Sequence, residues 1–165
     1  MKPITLAAAL LLSIVAGISA NAAPPAAVGS MSASVRPASV RAGGKGVATI
    51  AFTVAPGYHI NANKPADPML IPAVLTVTGP KGVKFGAPVY PAAQSVKASY
   101  SPKPLLVYQG KVKIAVPFTV DSSAKAASVP LKAQLAYQAC NATSCNPPAT
   151  ASASAALTIA AKSPR

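Results

Sequence analysis

The sequence predicts an all-β fold, an antiparallel β-sandwich, and three observations predict it. Short runs alternate apolar and polar residues with a period of two, Gly, Pro and Ser separate those runs, and helix signals are absent beyond residue 22. A two-residue period gives each strand one buried face, and two such sheets packed face to face bury both apolar sets. The 18 prolines argue independently against long helices, because each interior proline costs roughly 3 kcal/mol.

The elements follow in chain order. Met1-Lys2 is a short positive start, Leu6 to Ile18 is apolar and uncharged, and Ala20-Asn21-Ala22 fits a signal-peptidase site. Residues 1–22 are therefore expected to be a secretory signal. The apolar run falls short of the roughly 20 residues of a membrane span, though an uncleaved anchor is the alternative. Residues 23–30 read as a mobile leader, 31–160 as the sandwich and 161–165 as a frayed tail. Gly46 to Val54 places Ile50, Phe52 and Val54 on one face, and Pro56-Gly57 ends it. Val74 to Thr78 and Val83 to Tyr90 are short strands. Lys111 to Val120 alternates most cleanly, with Val112, Ile114, Val116, Phe118 and Val120 on one side. Val129 to Tyr137 repeats the pattern, and Ser152 to Ile159 closes the set. Pro88, Pro117 and Pro130 fall in or beside these runs and point to edge strands or bulges.

Composition narrows the function. Removal of Lys2 with the signal lowers the formal net charge from +13 to +12, against only two acids, Asp67 and Asp121. The cations are scattered and form no dense run, and an exported protein rarely meets nucleic acid. The charge therefore suits anionic envelope surfaces or acidic partners, or serves solubility alone. One histidine excludes a blue-copper site, which needs two, and no zinc constellation is present. Two acids exclude paired-carboxylate hydrolysis, and no phosphate-binding loop or Gly-x-Ser-x-Gly motif occurs. No cofactor and no metal are expected.

The chemistry-bearing residues are Cys140 and Cys145. In an oxidising compartment such a pair invites a disulfide. Closing so short a loop constrains the unfolded chain little, since the entropic gain grows with loop length. A local bond on a loop is also well placed for attack by partner thiolates. Spacing alone leaves a redox pair and a structural loop clamp both open. No Lys or Arg lies in the loop to depress a thiol pKa, so partners would have to supply part of the activation.

The segment Tyr137-Gln138-Ala139-Cys140, with Cys145-Asn146-Pro147-Pro148, resembles the N-terminal periplasmic domain of the DsbD thiol:disulfide interchange proteins and the related stand-alone disulfide bond corrector domains. Pro56-Gly57-Tyr58-His59-Ile60-Asn61, Asp67 to Pro72, Val89-Tyr90-Pro91 and Val107-Tyr108-Gln109-Gly110 agree in the same order, over roughly Val35 to Ile159. The cysteine segment is the specific part. The resemblance implies an immunoglobulin-like sandwich with the disulfide at one end on a hairpin-like strand pair. It implies an electron relay through Cys140 and Cys145, with Cys145 as the sulfur of the mixed disulfide. It implies periplasmic location, and as partners a membrane-embedded thiol–disulfide transporter and periplasmic thioredoxin-like proteins, the chain itself being a monomer. The membrane and thioredoxin-like domains of full-length DsbD are missing here, so a separately encoded membrane donor is expected. The family's cap loop maps to Lys97 to Leu105, where Tyr100 is the candidate shield or an ordinary loop tyrosine. His59 is a candidate proton carrier near the disulfide, or a strand residue making one hydrogen bond. Tyr137 is a further accessory candidate. Against the relay stands a second reading: an exported basic sandwich that binds an anionic envelope ligand and keeps the disulfide as a clamp.

Overall fold

The structure is a computed structural model that describes residues 27–161. The signal segment, residues 23–26 of the leader and residues 162–165 of the tail lie outside it. The described chain is all β, arranged as an immunoglobulin-like antiparallel sandwich with a small third sheet at one end.

The first large sheet has the order β1 (Ser32–Arg36), β3 (Lys45–Thr53), β9 (Lys111–Val120), β6 (Val83–Phe85). The second has the order β2 (Ser39–Arg41), β12 (Ala149–Ala160), β10 (Ala127–Tyr137), β5 (Val74–Thr78). Every pairing is antiparallel except β2 with β12, which runs parallel. The third sheet has the order β11 (Ala139–Cys140), β4 (His59–Asn61), β8 (Leu105–Tyr108), β7 (Gln94–Val96).

The alternating patterns fold as their period dictates. In β9 Val112, Ile114, Val116, Phe118 and Val120 are buried while Lys111, Lys113, Pro117 and Thr119 are exposed. In β10 Leu131, Ala133, Leu135 and Tyr137 are buried against Ile50, Phe52 and Ile114 of the facing sheet, in one continuous core. Gly46 is required by packing: a Cβ there would meet the Phe118 ring at 2.5 Å, so the missing side chain makes room for that ring.

Two expectations change. Val83 to Tyr90 is not one strand; β6 stops at Phe85, and pairing resumes only at Val89, which bridges Ala115. The cause is Pro117, whose carbonyl accepts from Gly86 N at 2.7 Å. Its absent N–H faces the same side, so the ladder bulges there, with Pro88 inside the bulge. Nor are Ala27 and Val28 part of a mobile leader. Both are buried; Ala27 O accepts from Ala55 N, Gly29 N donates to Thr53 O, and Val28 bridges Val54. The segment docks because its small apolar side chains finish the edge beside β3.

Direction along the strands positions the site. β9 begins at Lys111, opposite Thr53, and β10 ends at Tyr137, just before β11. The small sheet therefore sits at the end where β3 and β10 finish. The turn after Val120 lies at the other end.

Ile114 is fully buried at the centre of the first sheet. Ile114→Ala should lower unfolding free energy by about 2–5 kcal/mol, with Lys113→Ala within about 0.5 kcal/mol of the parent. Denaturant midpoints of the oxidised proteins check this ordering.

Candidate functional site

The site begins with a turn. Ala55-Pro56-Gly57-Tyr58 closes through Tyr58 N to Ala55 O at 3.1 Å, and Gly57 has φ 79°. Proline second and a positive-φ glycine third define a type II turn. It reverses the chain out of the first sheet and aims β4 across the end of the sandwich, with all three of its residues buried.

β11 pairs with β4 so that Ala139 lies opposite Ile60 and Cys140 opposite His59. Directly opposed residues project to the same face with Cα atoms about 4.5–5.5 Å apart. The His59 ring and the Cys140 sulfur are thus neighbours on one face. Cys140 is disulfide-bonded to Cys145, with Cα atoms 3.9 Å apart and the two residues in an antiparallel bridge.

The four-residue loop between them is organised by Asn141, whose importance the sequence reading missed. Its Oδ1 accepts from Thr143 N at 2.9 Å and Ser144 N at 2.8 Å, and from both hydroxyls at 3.2 Å. Asn141 N donates to Ser144 O, and Asn146 N donates to Ala139 O. Gln138 Nε2 holds the exit through Asn146 O at 3.2 Å. The Asn-x-Thr-Ser order is an Asx-turn signature, so the signal was present in the sequence. The result is strongly one-sided: Cys140 is fully buried, whereas Cys145 is exposed.

The segment between β7 and β8 folds against this hairpin. Ser99 Oγ donates to Ala142 O at 2.9 Å, and the Tyr100 hydroxyl and His59 Nε2 are hydrogen-bonded at 3.0 Å. His59, Tyr100, Cys140 and Cys145 therefore come together from four segments. Tyr137 does not join them: it is buried as the last residue of β10, paired with Ala149 and packed into the main core. Burial holds the His59 imidazole below its ordinary pKa of 6.5, so the ring is neutral at neutral pH. Burial likewise raises the Tyr100 phenol, which stays protonated and able to donate. Tyr108 anchors β8 by donating to Asn63 Oδ1 at 2.6 Å and stacking on Tyr90 at 6.1 Å.

Among the described residues no group of three His, Cys, Asp or Glu could hold a metal ion. They contain no helix long and apolar enough to cross a membrane. What the arrangement offers is a disulfide with one reachable sulfur and one sheltered sulfur.

Comparison with known proteins gives a family match and similar solved structures. The model of the N-terminal region of thiol:disulfide interchange protein DsbD matches residues 31–157. Among solved structures the chain is similar to the reduced DsbD N-terminal domain of Neisseria meningitidis, at 24% identity over 64% of this chain and 72% of that one, TM-score 0.42. It is similar to the N-terminal periplasmic domain of ScsB from Proteus mirabilis, at 12% identity over 73% of this chain and 43% of that one, TM-score 0.48. It is also similar to the seventh ScaB type I cohesin of Pseudobacteroides cellulosolvens, at 15% identity over 82% and 95%, TM-score 0.47. No curated protein matches significantly.

The buried imidazole sets a pH dependence. Its folded pKa lies below the unfolded value, so below about pH 6.5 the unfolded chain binds a proton that the folded chain does not. Stability is complete above pH 6.5 and should fall as pH drops from there through the depressed folded value. With one histidine and two acids in the chain, little else titrates between about pH 5 and 7. Denaturant midpoints of the oxidised protein should decline over that window, and His59→Asn should be nearly flat. An equal slope in the variant would remove His59 as the cause.

Proposed function

The chain belongs to the family of DsbD N-terminal domains, and on that premise we propose that it relays electrons through Cys140 and Cys145. The family and the disulfide-bonded pair support thiol–disulfide interchange in general. The finer reading is an exported periplasmic relay. A membrane-embedded thiol–disulfide transporter supplies the electrons, and periplasmic thioredoxin-like proteins or other disulfide substrates accept them. One observation carries it: the pair is closed, with Cys145 exposed and Cys140 fully buried.

A donor thiolate attacks Cys145 Sγ, the Cys140–Cys145 bond breaks, and Cys140 leaves as a thiolate that takes up a proton. The donor's second thiolate then attacks its own sulfur in the mixed disulfide and releases Cys145. The donor dithiol is oxidised to a disulfide and the pair is reduced to two thiols. Toward an acceptor the order reverses: the Cys145 thiolate attacks the substrate disulfide, and Cys140 resolves the mixed disulfide. The neutral His59 ring beside Cys140 suits a hydrogen-bonding role at the leaving sulfur, and Tyr100 holds that ring in place. No helix N-terminus is present among the described residues to depress a thiol pKa as in other exchange proteins. This suits a relay that reacts once its partner has docked.

The second reading also has an observation in its favour. An apolar groove of about 720 Å³ on the first sheet has Val47, Phe85 and Pro117 in its lining and Arg36, Lys45 and Lys84 around it. An anionic envelope ligand would suit it, with the disulfide serving as a clamp; ligand retention unaffected by reductant would favour this reading.

Cysteine variants test the relay. In Cys140→Ser the exposed Cys145 thiol has no resolving sulfur, so mixed disulfides with partner proteins should accumulate on non-reducing gels of periplasmic extracts. Cys145→Ser leaves only the buried Cys140 and should trap about tenfold less. Equal trapping by the two variants, or none by either, contradicts the relay.

A further inference from the structure

We infer that the disulfide end selects its exchange partner by charge, docking proteins whose reactive cysteine is surrounded by acidic side chains. The inference rests on the exchange reading above and names the partner's chemistry. In the sequence the cations are scattered, but the fold gathers Lys64, Lys97 and Lys103 onto the connections of the small sheet that carries the disulfide.

Each is or lies beside a residue fixed by a hydrogen bond. Lys64 follows Asn63, whose Oδ1 accepts from the Tyr108 hydroxyl of β8. Lys97 follows the last residue of β7 and precedes Ser99, which is bonded to the disulfide loop at Ala142 O. Lys103 lies on the same connection, its N–H donating to Ser101 Oγ, and faces the segment around Asp67 and Pro68 across a shared groove. All three lysines are exposed.

The connections at this end also expose apolar side chains. Met69 is 87% exposed, and Ile71 and Tyr100 are 39% and 37% exposed. Asp67, the acid on this end, accepts Met69 N at 2.9 Å and so caps its own turn. The one ion pair among the described residues, Lys84 with Asp121, belongs to the opposite end. An exposed cysteine, exposed apolar side chains and three lysines against one acid on the same connections attract a surface of opposite sign, and steering of this kind raises association rates by factors of 10 or more at low salt.

The test uses the full-length reduced protein and two peptides. Each carries one cysteine as its 2-thiopyridyl mixed disulfide, flanked on both sides by glutamates in one peptide and by lysines in the other. Attack by the Cys145 thiolate on the peptide sulfur forms a protein–peptide disulfide and expels 2-thiopyridone, whose absorbance gives the rate. The acidic peptide should react about tenfold faster at low ionic strength, and the ratio should collapse near about 0.5 M salt. The combined variant Lys64→Gln, Lys97→Gln, Lys103→Gln should bring the ratio to within about twofold of unity. Arg41→Gln, Lys81→Gln, Lys125→Gln, which removes as many cations from the opposite end, should leave it unchanged. Equal rates for the two peptides, or a preference that survives the rim variant, overturns the inference and leaves the exchange reading standing. Release by Cys145→Ser as fast as by the parent overturns the exchange reading, and the inference with it.

Discussion

The pairing of two residues, Ala139 and Cys140, against Ile60 and His59 is the constraint on which the rest of the site depends. It places one sulfur beneath the sheet and leaves the other on the loop. A disulfide on a free loop would present both sulfurs to solvent, and attack at either would be equivalent. Here the ladder removes Cys140 from reach, and the Asn141 turn returns the chain so that Cys145 stands outside. In the proposed relay this asymmetry would set the direction of attack.

The same constraint explains why so many elements converge on a sheet of short strands. Strands of two to four residues cannot hold themselves together. β4 is aimed by the Pro56-Gly57 turn, β8 is tied by Tyr108 to Asn63 and Tyr90, and the connection bearing Tyr100 is tied to both His59 and Ala142. These polar ties add to apolar burial: Ile60, Tyr108 and Ala139 of the small sheet belong to the same buried core as Ile50, Ile114, Leu131 and Leu135. The connection bearing Tyr100 is tied to the site by two side-chain hydrogen bonds, which lend themselves to local opening.

How legible each part was depends on length. β9 spans ten residues of uninterrupted alternation, and its limits, Lys111 and Val120, were readable directly. β10 and β12 were readable in their centres but begin two and three residues before the pattern, because ladder pairing starts ahead of the first strongly apolar side chain. Val83 to Tyr90 was read as too long because Pro117 breaks its ladder from the partner strand, a cause invisible in the run itself. β4, β7 and β11 have two or three residues, too few to show a period. Cys140, Cys145, His59 and Tyr100 were nevertheless named, the last two with help from family resemblance. That His59 lies opposite Cys140 could not be read, since it depends on a register between segments some eighty positions apart. Asn141 was missed although its turn signature was present. Tyr137 was named by nearness in sequence, and alternation sends its side chain into the core.

The central claim is that the Cys140–Cys145 bond is built for exchange and is not a clamp. Its reduction potential, equilibrated against defined thiol buffers at neutral pH, tests this most directly. A value between about −120 and −270 mV, the range of exchange proteins, is the result this account predicts. A value below about −300 mV, where structural disulfides of secreted proteins lie, would contradict it.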